Sequence, residues 1–186
     1  VSYFLINWVI VSEARRREFF YVGRGSGANS IVAYLLRITD VDPMELDLYF
    51  ERFINLYRAN PPDFDIDFSW KDRPAMTEYI FKRFEHVALL GTYVTFKERG
   101  VIRELGKVFG LPPQDIDFLL EGRYSLNQLD HVSKLVLKYG SLLKGKPNYL
   151  SIHAGGILIS DKPLHWFSVT HLPPKGFPTT QYDMVI

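Results

Sequence analysis

The chain has 186 residues, of which 47% are apolar and 23% charged, with a formal net charge of +1. That composition is enough for one substantial core or a compact pair of subdomains and predicts a folded globular chain rather than a disordered one. The small net charge means that any nucleic-acid binding must come from local basic patches. The absence of cysteine excludes disulfides, thiolate nucleophiles and zinc–thiolate sites, which fits a reducing cytoplasm.

The longest apolar run, Tyr3 to Val11, is interrupted by Asn7 and falls far short of a membrane span. Arg15, Arg16 and Arg17 follow it, whereas a secretory signal carries its basic residues in front. The helical spacing of Phe4, Leu5, Trp8, Val9 and Val11 predicts a helix over 3–18 that buries this face. The three arginines then complement the helix C-terminus. Val22 to Ser30 is a glycine-rich turn, Gly23-Arg24-Gly25-Ser26-Gly27, running into a second helix from Ile31 to Leu36. Pro43 suits the start of a short helix through Phe53.

Pro61 and Pro62 bar a helix ahead of Asp63-Phe64-Asp65-Ile66-Asp67-Phe68, which alternates as a half-buried strand does. Asp72 can cap the next helix, with Pro74 in its first turn and Met76, Ile80, Phe81 and Phe84 as its inner stripe. A strand is expected over Val87 to Val94 and a helix over 96–109, closed by Gly110. Val132, Leu135, Val136, Tyr139, Leu142 and Leu143 mark a further amphipathic helix. Residues 149–160 form a strand or a hairpin around Gly155-Gly156, and loops with short strands follow. Helices and strands mix without a βαβ rhythm, so the expected class is α+β. The chain begins with Val and ends within what looks like a continuing segment, which points to an excised fragment.

Four constellations carry chemistry. Asp63, Asp65 and Asp67 share one strand face, with Phe64, Ile66 and Phe68 on the other. Three like charges in a row are costly unless cations or dipoles sit opposite. Oxygen ligands at this spacing suit Mg²⁺, and two such ions can activate a hydroxyl and steady a leaving pyrophosphate. A solvated edge strand is the alternative. The turn around Arg24, Gly25 and Ser26 offers amides, a hydroxyl and a guanidinium fork to an anion, or is a tight helix entry. Arg99, Arg103 and Lys107 recur at every fourth residue on one helix face, opposite Val101, Ile102, Leu105 and Phe109, and could meet a DNA backbone or only solvent. His153-Ala154-Gly155-Gly156 lets something approach the backbone closely. The five histidines show no metal-ligand spacing.

In this order the pieces resemble the α subunits of bacterial DNA polymerase III, the C-family replicases. The matching stretches are Gly23-Arg24-Gly25-Ser26, Ile31-Val32-Ala33-Tyr34-Leu35, Ile38-Thr39-Asp40-Val41-Asp42-Pro43 and Phe50-Glu51-Arg52-Phe53. They continue with Pro62 to Phe68, Val101 to Gly106, His153 to Gly156 and Thr180-Gln181-Tyr182-Asp183. The resemblance implies a polymerase β-like nucleotidyltransferase palm with a mixed sheet and an inserted helical thumb. Palm is expected over 1–91 and 149–186, and thumb over 92–148. It implies catalytic metal ligands at Asp63 and Asp65 for two Mg²⁺ ions, which Mn²⁺ could replace in vitro, with Asp67 supporting the strand. It places Arg24, Gly25, Ser26 and Arg52 against the triphosphate. Arg99, Arg103, Lys107, His153, Gly155 and Gly156 are the expected DNA or active-site loop contacts. It implies a cytoplasmic DNA-directed DNA polymerase acting in replication, with primer-template DNA and dNTP as substrates and the sliding clamp and other replisome subunits as partners. The family's third catalytic aspartate follows the Thr-Gln-aromatic-Asp stretch, beyond Ile186, so the chain alone is expected to be inactive or nearly so. A template-independent nucleotidyltransferase or a noncatalytic DNA-binding module are the alternatives.

Overall fold

The computed structural model describes residues 2–57 and 62–182, which form two compact units, Val1–Glu85 and His86–Ile186. Pro61 of the double-proline stop and Asp183 lie outside the described residues.

The first unit opens with helix α1 (Ser2–Arg16). Its buried side is Asn7, Ile10, Val11, Glu13 and Ala14, whereas Leu5 and Trp8 are exposed. The expected stripe was therefore rotated. Residues 7, 10, 11 and 14 recur at three- and four-residue steps and so share a face, from which Leu5 and Trp8 point away. Strand β1 (Tyr21–Arg24) follows, where the sequence reading had only a turn. A 3-10 turn (Ser26–Asn29) leads into the five-residue helix α2 (Ile31–Leu35). The expected helix from Pro43 to Phe53 is absent; the segment makes turns and a 3-10 turn at Phe50–Arg52. Asp47 has a φ of 47°, a left-handed conformation through which a right-handed helix cannot run. Strand β2 (Asp65–Phe68) and helix α3 (Arg73–Arg83) complete the unit.

Strands β1 and β2 pair antiparallel, with Tyr21 opposite Phe68, Val22 opposite Asp67, Gly23 opposite Ile66 and Arg24 opposite Asp65. Val11, Ala33 and Ile38 form the core beneath, joined by Phe4, Tyr21, Leu36, Phe64 and Ile66. The apolar half of the alternating stretch is thus what anchors it. Met76 and Ile80 of α3 are buried, and Phe81 and Phe84 half-buried, as the spacing predicted. Asp72 stands at the N-cap but makes no capping bond; its Oδ2 accepts a 2.6 Å bond from Ser69 Oγ.

The second unit is built on strands β3 (His86–Thr95), β4 (Pro147–Ser160), β5 (Thr170–His171) and β6 (Thr179–Thr180). Their order is β4-β3-β6-β5, with β3 antiparallel to β4, parallel to β6, and β6 antiparallel to β5. The sheet is mixed, in keeping with an α+β class. Between β3 and β4 run helices α4 (Glu98–Val108), α5 (Pro113–Glu121) and α6 (His131–Leu143). Their core is Leu119, Leu129 and Val136, flanked by Ile102, Leu105, Leu111, Tyr124 and Leu137. Helix α5 escaped the sequence reading although Pro113 opens it and Gly122, at a φ of 70°, closes it. Asp130 caps α6 by accepting a 2.7 Å bond from Ser133 N. Among the described residues no helix is long and apolar enough to cross a membrane.

Candidate active site

The alternation of exposed aspartates with half-buried apolar residues extends from Asp63 to Phe68, although the paired strand begins at Asp65. Helix α1 fixes the segment just ahead of it. Phe64 N donates to Tyr3 Oη at 3.0 Å, and the Phe64 ring lies 5.4 Å from that of Tyr3 and 5.0 Å from that of Phe4. Tyr3 was not singled out from the sequence, because nothing local links an amino-terminal tyrosine to a strand about sixty residues on.

The glycine-serine turn is fastened to Asp63. Ser26 Oγ donates to Asp63 Oδ1, Ser26 N donates to the same oxygen at 3.2 Å, and Gly27 N donates to Asp63 O at 2.8 Å. Asp63 N returns a bond to Ser26 Oγ at 3.3 Å. Two glycines make this close approach feasible. A Cβ on Gly25 would stand 2.6 Å from Asp63 O and one on Gly27 2.9 Å from the same atom, and Gly25 also holds a φ of 95°, which L-residues rarely adopt. The turn lies beside the 3-10 turn that carries Arg52, whose residue is exposed.

Arg24 faces the acidic row. Its Nη1 lies 2.8 Å from Asp65 Oδ2, its Nε 2.6 Å from Asp67 Oδ2, and its Nη2 donates to Asp67 Oδ1 at 3.4 Å. The register explains the fork: Arg24 is directly opposite Asp65 and diagonal to Asp67 on the same face. The hydrogen bond to Asp67, then the charges of Asp67, Asp65 and Asp63, raise the guanidinium's pKa above its ordinary value. The cation demanded by three aspartates in a row is thus, in this structure, a side chain. Among the described residues no group of three His, Cys, Asp or Glu side chains is gathered as a metal cage. The donor chemistry still suits Mg²⁺, which takes one or two carboxylates and completes its shell with water and phosphate oxygens. Asp63 and Asp65 offer such oxygens from one exposed strand face, with Arg24 already on Asp65.

The remaining expected residues lie in the second unit. On α4, Arg99 Nη1 donates to Leu120 O at 3.4 Å and Lys107 pairs with Glu104 at 3.0 Å, while Arg103 is exposed. Residues 153–156 sit opposite the single residue Leu90, between the pairs Leu89–Ile157 and Gly91–Ile152. Residues 149–160 therefore belong to one bulged strand and not to a hairpin. His153 Nδ1 accepts from Gly155 N at 3.2 Å and Gly156 N at 2.8 Å, so the imidazole braces the bulge.

The whole chain, residues 1–186, matches the family described as Bacterial DNA polymerase III alpha NTPase domain. The chain belongs to that family. It is 35% identical over 203 residues to an Error-prone DNA polymerase of Symbiobacterium thermophilum, covering 98% of this chain and 19% of the relative. A protein of the same name from Pseudomonas paraeruginosa is 38% identical over 180 residues, covering 88% of this chain and 18% of the relative. One from Vibrio campbellii is 36% identical over 183 residues, with coverages of 88% and 18%. The chain thus spans under a fifth of the length of these curated relatives.

Proposed function

We propose that this chain is part of the catalytic core of a DNA-directed DNA polymerase that transfers a nucleotide from dNTP to a primer 3′-hydroxyl. The observation that carries this is the β1–β2 pairing. It sets an acidic strand against a glycine-serine turn, in a chain of the polymerase III alpha family. On this reading the strands over 1–91 and 149–186 belong to the palm, and α4, α5 and α6, within 92–148, form the thumb. The position of the three helices between two paired strands supports an inserted thumb.

Asp63 and Asp65 hold the catalytic metals, and Arg24, Gly25, Ser26 and Arg52 bind the triphosphate. When bound, two Mg²⁺ ions activate the attacking hydroxyl and stabilise the leaving pyrophosphate. Ser26 keeps Asp63 oriented through their paired hydrogen bonds. Arg99, Arg103, Lys107 and the 153–156 bulge serve DNA or the active-site loop. Partners of the intact protein are primer-template DNA, a sliding clamp and replisome subunits, acting in the cytoplasm. The shared name of the relatives supports an error-prone parent enzyme.

The test is primer extension by the full-length protein. Incorporation that requires both template and primer supports the reading; turnover of dNTP indifferent to a primer-template points to a different nucleotidyltransferase. The ion pairs of Arg24 favour a second reading, in which the carboxylates are structural and the chain is a DNA-binding module. Under it, Asp65→Asn leaves synthesis intact.

A further inference from the structure

The three contacts of Arg24 are unequal. Asp67 receives two of them, from Nε and Nη2, whereas Asp65 receives one, from Nη1. Side-chain exposures of 59% for Arg24, 47% for Asp65 and 56% for Asp67 leave water able to replace any single bond, so the Asp65 arm is cheap to break. The Asp67 arm, with two donors on two oxygens, is the firmer hold. A cation at Asp65 would need the oxygen that Nη1 occupies, or would stand beside a like charge.

We propose that Arg24 is a built-in competitor of the divalent cation at Asp65, tethered by Asp67, so that cation binding frees the Nη1 arm toward the incoming triphosphate. Asp67 is then a positioning residue, keeping the guanidinium next to Gly25 and Ser26 after Asp65 lets go. Because two positive groups oppose each other at one carboxylate, the coupling is reciprocal: the cation weakens the Arg24–Asp65 bond by the factor by which Arg24 weakens the cation. The arginine also screens the three aspartates while no cation is bound, which removes the repulsion of an uncompensated acidic row. This inference rests on the metal role proposed above for Asp65.

The test is a titration of Mn²⁺ alone into the 186-residue chain at low salt, with free Mn²⁺ followed by electron paramagnetic resonance and folding checked by circular dichroism. Arg24→Gln is expected to tighten Mn²⁺ roughly two- to fivefold, the range of an exposed ion pair. Asp65→Asn is expected to abolish this binding. If Asp65→Asn abolishes binding but Arg24→Gln leaves it unchanged or weaker, the competition is overturned while the metal role stands. If Asp65→Asn leaves binding unchanged, the metal role itself fails, and the competition with it. Should Arg24→Gln not fold, the guanidinium resonances of Arg24 in the unmodified chain decide. They are expected to shift with added Mg²⁺ and saturate with metal binding, and resonances that stay fixed through saturation overturn the proposal.

Discussion

Ser26 and Asp63 hold each other from both sides: the serine hydroxyl and amide donate to the aspartate carboxylate, and the aspartate amide donates back to the serine oxygen. The turn that is proposed to bind triphosphate and the residue proposed to bind metal are therefore one hydrogen-bonded structure. Ser26→Ala removes the hydroxyl's bond to Asp63 Oδ1 and the acceptor of the Asp63 amide, leaving the Ser26 amide as the turn's remaining bond to that carboxylate oxygen. It is expected to cost roughly 0.5–1.5 kcal/mol of stability in urea unfolding, and to lower the rate of single-nucleotide incorporation by the full-length protein.

Gly23→Ala and Gly100→Ala are expected to have opposite signs. A methyl group on Gly23 would collide with Ile38 O, whereas one on Gly100, within α4, meets nothing within 4 Å. The first is expected to cost about 3 kcal/mol or more, at the upper end of overpacking. The second is expected to gain roughly 0.5–1 kcal/mol from helix propensity. Denaturant midpoints of the two variants check both.

Glu13 gives a pH signature. Hydrogen bonds from Arg16 and then Arg17, at 2.7 and 2.6 Å, pull its pKa from 4.5 to about 2. A depressed carboxylate contributes stability above its unfolded pKa, and that contribution fades as protons bind the unfolded chain preferentially. Stability is expected to fall as pH drops from 4.5 toward 2, and Glu13→Gln should flatten that part of the profile. The check is thermal unfolding across the window for both proteins.

His153 is expected to brace the β4 bulge through its acceptor and not through its charge. His153→Ala leaves the amides of Gly155 and Gly156 without their partner, so their hydrogen exchange should quicken by roughly tenfold. His153→Asn, which restores an acceptor, should recover part of the protection.

How much of this was legible in the sequence depends on the range of the interaction. Alternation from Asp63 to Phe68 was readable because it is a local period, and the side chains do alternate as read. The helices α3, α4 and α6 were readable for the same reason, although in α6 only Val136 of the expected stripe is buried, beside Ser133 and Gly140, while Tyr139 and Leu142 are exposed. Strand β1 was not readable: Val22-Gly23-Arg24 has the composition of a turn, and only pairing with β2 some forty residues later makes it a strand. For that reason the partnership of Arg24 with Asp67 was out of reach, although the need for a positive charge facing the aspartates was not. Leu5 and Trp8 misled because hydrophobicity marks several possible faces of α1, and the packing of Val11 against Ala33 and Ile38 selects one. Proline at the start of 43–53 favoured a helix locally, but the left-handed Asp47 overrides it.

The most direct test of the catalytic role proposed for the acidic strand is single-nucleotide incorporation on a primer-template by the full-length protein carrying Asp63→Asn or Asp65→Asn. With folding preserved, loss of a metal-binding carboxylate is expected to slow incorporation on the order of a thousandfold. Incorporation by either variant at the unmodified rate would contradict the assignment of that aspartate to the metal site.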